Sequence, residues 1–471
     1  MNRRRLKADL VIIGAGSGGL SVAAGAAQLG LKVVLFEKGE MGGDCLNAGC
    51  VPSKALIAAA NQVHARHQHG GAPAQEADFI AAMAQVQSAV NAVAPHDSQA
   101  RFEGLGVTVV REVARFTGRR TVESDSKFVT ARTIVLAAGS RPAVPDIPGL
   151  SSIPFLTNES VFRLETRPRR LLILGGGPIG LELGQAFRRL GSEVVIIERG
   201  QSLQREDEDL ALHVRDQVVR DGVTIVEGAE AVRFEPAPHG VVVGVERRGN
   251  MERWEGTHLL VAVGRAPDLG GLNLEAAGIA HDRSGVRTDR QLKTTNRSVY
   301  AIGDIAGRGQ FTHLAGAHAA LVVRRALFAQ PVDVTGLVVP RVTYTDPELA
   351  VVGLGEKAAR AKYGGKVEVI HQSFDDDDRA LAERDTRGAA KLILYRGRIL
   401  GVGIVGAHAG DLLQPWTLAM TAGVKLRSIA SMIAPYPTRG EINRKLASSH
   451  FTPLLFSEKS RALVALLKHF G

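Results

Sequence analysis

The sequence predicts an α/β fold in which one strand–glycine turn–helix–strand unit is used twice, followed by a smaller α+β region. Three observations predict it. The unit recurs at an offset of 161 residues, each copy carries three glycines in the same order, and each ends on a glutamate 23 positions after its first glycine. A chain of 471 residues has room for about two to four domains, so two such units and a third region fit within it.

The first copy begins with an apolar strand that reaches Gly14. It turns through Ala15, Gly16, Ser17, Gly18 and Gly19, runs on as an Ala-rich helix, and closes with a strand ending at Glu37. The second repeats this from Arg170, with Gly175, Gly177 and Gly180 in the turn, a helix to Leu190 and a strand ending at Glu198. In such a unit the first glycine permits the tight turn, the second lets a pyrophosphate approach the backbone, and the third lets helix pack on strand. Free N–H groups at the helix start favour the anion. Glu37 and Glu198 are placed to accept hydrogen bonds from a ribose diol. Two units imply two dinucleotides. Glu198 would repel a 2′-phosphate and favours NAD over NADP, although the adjacent Arg199 weakens that preference.

Beyond residue 200, short apolar strands are expected at 224–226, 241–243 and 259–263, the last running into Gly264 and Arg265. After Pro331 the pattern changes. Strands at 342–345 and 391–395 with helices at 416–425 and 441–448 predict a separate α+β domain.

Composition points to a globular enzyme, with 45% hydrophobic, 23% charged and 5% aromatic residues. No apolar stretch reaches the ~18 residues of a membrane span. The basic start runs directly into a strand, so no signal peptide is expected. The net charge of +10 is scattered without a nucleic-acid-reading module. Arg3, Arg4 and Arg5 read as a solvated terminus, and Arg461, Lys468 and His469 as a solvated helix face rather than a membrane contact. Only two cysteines occur, which points to the cytoplasm.

Those cysteines, Cys45 and Cys50, lie between Gly42 and Lys54 among Gly, Asn and Pro residues. A gap of five can bring them to disulfide distance if the backbone is irregular or begins a helix. A helix N-terminus and a nearby lysine would also lower a thiol pKa. No further Cys or His stands at zinc-ligand spacing, so no metal site is expected. Two inert buried thiols remain the alternative reading.

With these motifs the sequence resembles the flavin-dependent pyridine nucleotide–disulfide oxidoreductases, which include dihydrolipoamide dehydrogenase, glutathione reductase and mercuric reductase. The resemblance runs from Ala8 to about Ala447. It also rests on Gly139-Ser140-Arg141-Pro142, Gly264-Arg265-Ala266-Pro267, Gly303-Asp304 and Thr345-Asp346-Pro347-Glu348. It implies FAD in the first dinucleotide unit, NAD(H) or NADP(H) in the second, and a homodimer built by the last domain. It implies that Cys45 is the interchange thiol and that Cys50 lies against the flavin. Lys54 would sit near the flavin and pair with Glu182. Asp304 would hold the ribityl chain, with Gly118 and Thr312 nearby. The implied domains are 1–149 and 271–335 for FAD, 150–270 for the nicotinamide cofactor, and 336–471 for dimerisation.

One position departs from the family pattern. Its disulfide reductases carry His-Pro-Thr-x-x-Glu, whose histidine is the acid/base; here Tyr436-Pro437-Thr438-Arg439-Gly440-Glu441 stands in that place. A tyrosine of pKa near 10 is a poor proton acceptor at neutral pH. Mercuric reductases resemble this chain in having Tyr there, but their C-terminal cysteine pair is absent here. Tyr436 packing in a dimer interface is the plain alternative. The expected function is therefore electron transfer from NAD(P)H through FAD and the Cys45–Cys50 pair to a metal ion, quinone or disulfide. Dihydrolipoamide dehydrogenase and a flavoprotein redox sensor are the competing readings.

Overall fold

In the computed structural model the described chain extends from Arg3 to His469. Met1 and Asn2, part of the basic start considered above, lie outside the described residues. The chain forms two compact units. One comprises the chain up to Arg199 with Gly228–Leu337, and the other Gly200–Glu227 with the chain from Val338 onward.

The first unit contains both predicted repeats. Strand Arg4–Ile13 lies parallel between Val33–Phe36 and Lys127–Leu136, with Thr108–Val110 outside the former. Strand Val299–Ala301 joins the same sheet parallel to Lys127–Leu136, Ala301 opposite Leu136. Apolar residues fill both faces, as a parallel sheet requires: Leu10, Ile12 and Leu35 on one and Val11, Ile134 and Leu136 on the other are all buried. In the second repeat Arg170–Leu174 lies parallel between Glu193–Glu198 and His258–Val261. The antiparallel strands Ala229–Ala237, Gly240–Arg247 and Asn250–Gly256 form a separate sheet.

The shared strand direction positions the site. The loops after Ile13, Leu136 and Ala301 leave one edge of the sheet together, so residues near positions 14, 140 and 304 converge there.

The second unit is an antiparallel five-stranded sheet in the order Arg341–Thr343, Glu348–Gly353, Arg398–Gly406, Ala389–Tyr395, Val367–Ser373. Trp416 and Ile442, from helices Gln414–Ala422 and Glu441–Ser449, are buried in its core. The helix expected to reach residue 425 stops earlier because Gly423 turns left-handed at φ 67. The expected strand at 342–345 is shorter for a similar local reason, since Thr345 lies just before the Asp346-Pro347 peptide and its hydroxyl bonds the Pro347 carbonyl.

Gly200–Glu227, placed by sequence within the nicotinamide domain, belongs to this second compact unit. The physical reason is Lys391. Its side chain is only 3% exposed, yet Nζ meets Asp209 Oδ1 at 2.9 Å, Glu356 Oε2 at 2.7 Å and Asp207 Oδ2 at 3.2 Å. A buried ammonium needs such partners, and two of the three come from the 200–227 segment. Arg341 pairs with Glu206 of the same segment at 2.8 Å.

Candidate active site

The two glycine turns are nearly superimposable in their constraints. A Cβ on Gly19 would lie 1.9 Å from the Gly14 carbonyl oxygen, and one on Gly180 would lie 2.0 Å from that of Gly175. Those glycines are dictated by helix-on-strand packing. The middle glycines differ. A Cβ on Gly16 meets nothing nearer than Gly43 Cα at 4.0 Å, and one on Gly177 meets no protein atom within 4 Å. Both are the N-cap residues of helices, Ser17–Gln28 and Pro178–Arg189, and neither helix start has a side-chain cap. Uncapped N–H groups beside an open Cα form an anion cradle, which is the fit a dinucleotide pyrophosphate requires.

The terminal glutamates fold back onto these turns. Glu37 Oε2 accepts from the Ala15 N–H and Glu198 Oε2 from the Gly176 N–H, each at 2.6 Å. Beside Glu37 a cleft is lined by Gly14, Lys38, Glu112, Val113, Ala114 and Asp268, among others. Gly118 is not among its lining residues. It ends strand Arg115–Gly118, where a Cβ would meet the Thr121 hydroxyl at 2.9 Å. The strand pair it belongs to has an irregular register between Phe116 and Gly118.

The cysteines sit on consecutive helices, the first short and the second long. Cys45 lies in Gly43–Asn47, and Cys50 is the first residue of the 19-residue helix Cys50–Gln68. Gly49 allows the two to approach, since a Cβ there would lie 2.9 Å from the Asp44 carbonyl oxygen. Both cysteines are free thiols, and Cys50 is exposed. Cys50 is pulled down to about 6, first by the hydrogen bond from Cys45 and then, against the effect of burial, by Thr312 and the charge of Lys54. Cys45 is pushed up by that same hydrogen bond and by burial. The proton of the pair therefore resides on Cys45 and the thiolate on Cys50, at a helix N-terminus that favours negative charge.

Thr312 comes from 262 residues away and is the first residue of another helix, Thr312–Phe328. Its Oγ1 lies 3.4 Å from Cys50 Sγ. A hydroxyl donated to a thiolate stabilises the charged form. Thr312→Val is therefore expected to raise the Cys50 pKa by about one pH unit, with the thiolate lost at higher pH as acidity increases. Ultraviolet thiolate titration of the reduced protein reads this directly, and an unshifted midpoint would refute it. Thr312→Ser should restore it.

Lys54 projects from the cysteine helix to Glu182 on the helix of the second repeat, Nζ to Oε2 2.8 Å, and Glu182 is buried. The cysteine loop is braced by a chain of polar contacts. Asn158, buried, donates to Asp44 Oδ1 at 2.9 Å and to the Ala48 carbonyl at 3.0 Å. Arg265 lies 3.3 Å from Asp44 and donates to Ser140 Oγ at 2.8 Å, and Ser140 donates to Asp304 Oδ2 at 2.5 Å. Burial pushes the Asp304 carboxyl up, with Ser140 and Arg265 opposing. Gly139 and Gly264, both at positive φ, carry the turns that bring Ser140 and Arg265 together. His318, fully buried and neutral with its pKa pushed down to about 4 by burial, accepts the Gly303 N–H at 3.2 Å just before Asp304. Asn158 and His318 had no sequence signal, since neither stands in a spaced motif.

In the second unit Tyr436 is 70% exposed, and its hydroxyl donates to Asp378 Oδ2 at 2.9 Å. That bond and the Asp378 charge hold the phenol above its ordinary pKa, so at neutral pH it is a proton donor. Arg439 is buried and reaches Glu383 at 2.8 Å, fixing the loop. Glu441 is buried at the start of its helix, 3.7 Å from Arg444.

Comparison with known proteins matches this arrangement. The pyridine nucleotide-disulphide oxidoreductase family model covers residues 8–319, and that of the family's dimerisation domain covers 339–447. Mercuric reductase of Bacillus cereus is 34% identical over 441 residues, 92% of this chain and 70% of that protein. Dihydrolipoyl dehydrogenase of Thermus scotoductus is 36% identical over 448 residues, 92% and 95% of the two chains. The Cu(II) complex of the HOCl-induced flavoprotein disulfide reductase RclA from Escherichia coli superposes with a TM-score of 0.83 at 28% identity, covering 93% of this chain and 99% of that one. The glycine cradles, the paired thiols and these matches together place the chain in the pyridine nucleotide-disulphide oxidoreductase family, FAD-dependent enzymes that use a nicotinamide cofactor and act on sulfur groups or metal ions.

Proposed function

We propose that this enzyme is an NADH-linked reductase whose Cys45–Cys50 pair delivers electrons to a metal ion, with quinones and non-lipoyl disulfides as further acceptors. The observation that carries the reading is Tyr436 in the position of the catalytic histidine, with its phenol held protonated by Asp378. A dithiol substrate must lose a proton to attack, and a phenol in this state cannot take it. A metal ion needs a thiolate and asks for no such base. The mercuric reductase relatives and the Cu(II) complex of RclA support the same class of acceptor.

In this reading Gly14, Gly16, Gly19, Glu37, Gly139, Asp304 and Thr312 hold FAD, together with Val113 and Ala114. Gly175, Gly177, Gly180, Glu198 and Gly264 hold the nicotinamide cofactor. Bound FAD supplies the two-electron link between nicotinamide and the cysteines. Lys54, oriented by Glu182, keeps positive charge beside the Cys50 thiolate. Cys45 meets the acceptor and gives up its proton to solvent as a metal ion binds, so that step needs no protein base. Glu198 disfavours a 2′-phosphate and so selects NADH. The functional domains we propose are 1–149 with 271–335, 150–270, and 336–471, although the 200–227 stretch of the second packs in the same compact unit as the third. In a cytoplasmic homodimer the last would present exposed Tyr436 to the partner's cysteines, with the buried Glu441 adding its charge to that of Asp378 near the phenol.

An anaerobic acceptor panel with NADH and NADPH tests this: Hg(II), Cu(II), a quinone, lipoamide, glutathione disulfide and oxygen. NADH should outperform NADPH, and the metal ions should outpace lipoamide. Dihydrolipoamide oxidation at an ordinary enzymatic rate of about 10 per second or more would overturn the reading in favour of dihydrolipoamide dehydrogenase. Negligible turnover with every acceptor would favour a redox sensor. Tyr436→His should raise dithiol oxidation by at least about tenfold by restoring a base near neutral pKa. No gain would mean that the residue at position 436 does not limit that reaction.

A further inference from the structure

Residues 451–467 lie beyond the matched dimerisation domain, which ends at 447. Phe451 packs against the core of the second unit, and from there the chain runs outward. Leu454, Leu455 and Phe456 are exposed, and helix Glu458–Leu467 follows with no buried residue at all. Ser457 caps it by accepting from the Ser460 N–H. A ten-residue helix without a packed face is marginal in water. Apolar exposure of this extent marks a surface that is covered in use.

The helix has two faces. Leu463, Leu466 and Leu467 stand at i, i+3, i+4 and are all exposed. Arg461 and Lys468, seven apart, share the opposite side, while Lys459, four residues before Leu463, stands at the start of the leucine side, where its long stem can carry the ammonium outward. Over residues 451–469 the single acidic residue, Glu458, is outnumbered by Lys459, Arg461 and Lys468, with His469 following. An apolar stripe backed by basic residues matches a surface that is apolar beneath and anionic above. That is the headgroup boundary of an anionic bilayer. No helix among the described residues is long and apolar enough to cross a membrane, so the contact is peripheral.

We infer that the 451–467 segment docks this oxidoreductase on an anionic lipid surface, Leu463, Leu466 and Leu467 entering the headgroup boundary while Arg461 and Lys468 meet lipid phosphates. The charges of Arg461, Lys468 and His469 point by sequence to a solvated face. The charges alone suggested solvent, whereas the exposed leucines beside them require a cover.

The test is vesicle flotation of the full-length, FAD-loaded protein. Vesicles of phosphatidylcholine with about one-third phosphatidylserine should carry it up, and pure phosphatidylcholine should not. About 0.5 M NaCl should weaken the binding by shortening the Debye length. The double variant Leu463→Glu, Leu467→Glu should lose on the order of tenfold in vesicle affinity. Its NADH-dependent reduction of a soluble acceptor and its sedimentation mass should stay unchanged. Three results would overturn the inference: no flotation with the phosphatidylserine vesicles at low salt, flotation unaffected by the double substitution, or a variant that falls from dimer to monomer. The last would make this face a contact between copies of the chain.

Discussion

Cys50→Ala is expected to abolish turnover with metal-ion and disulfide acceptors, with a loss of at least about a thousandfold, while FAD remains bound. The reasoning starts from the proton balance of the pair. Cys50 is the thiolate partner, stabilised by Cys45, Thr312, Lys54 and the start of its helix, and Cys45 keeps the proton. Without the Cys50 sulfur the pair cannot form a disulfide, so no electrons can reach an acceptor through the thiols. A second readout is independent of the acceptor. Anaerobic NADH should give the wild-type protein a long-wavelength absorption band, and Cys50→Ala should remove it. Cys45→Ser should keep the band and lose acceptor reduction. The band should fade as pH falls through about 6, because the thiolate is then protonated. Turnover of the alanine variant within tenfold of wild type, or no band in the wild-type protein, would end the electron-relay assignment.

Gly19→Ala is expected to destabilise the first repeat by about 3 kcal/mol or more, at the upper end of the overpacking range. The added Cβ would sit 1.9 Å from the Gly14 carbonyl oxygen. Both atoms are fixed by backbone, so relief requires moving helix Ser17–Gln28 off its strand. Gly16→Ala is the informative contrast. Its φ of −81 suits alanine, and its Cβ would meet no protein atom closer than 4.0 Å. The fold should survive while FAD affinity falls, because the methyl group enters the anion cradle. Urea unfolding of the apoprotein separates the two effects, and equilibrium dialysis against FAD reads the second. Equal loss of stability in both variants would show that Gly16, too, is held by packing rather than by the cofactor.

Much of the site was legible because its chemistry is local in sequence. A glycine whose Cβ would strike the carbonyl five residues earlier is a short-range fact, and it shows as spacing. The same holds for Cys50, which begins a helix five residues after Cys45. The contacts between segments were not legible. Thr312 was expected near FAD, yet only the fold shows its hydroxyl beside Cys50. Asn158 donates to Asp44 from 114 residues away and belongs to no motif. Val113 and Ala114, which line the cleft beside Glu37, belong to no motif either.

The sequence by itself determined two dinucleotide-binding units, a dithiol pair and the loss of the usual histidine, because each is written in residue type at fixed local spacing. Only the tertiary structure brought the Thr312 hydroxyl, from a separate helix, beside Cys50, where it adds to the hydrogen bond from Cys45 and the charge of Lys54 on the same helix in holding the thiolate. It alone decided that Gly200–Glu227 joins the second compact unit, because a buried lysine there requires carboxylates from that segment. It also decided that the basic residues after 450 border exposed leucines. Charge can be counted along a chain, but whether an apolar side chain is covered depends on what the folded molecule packs against it.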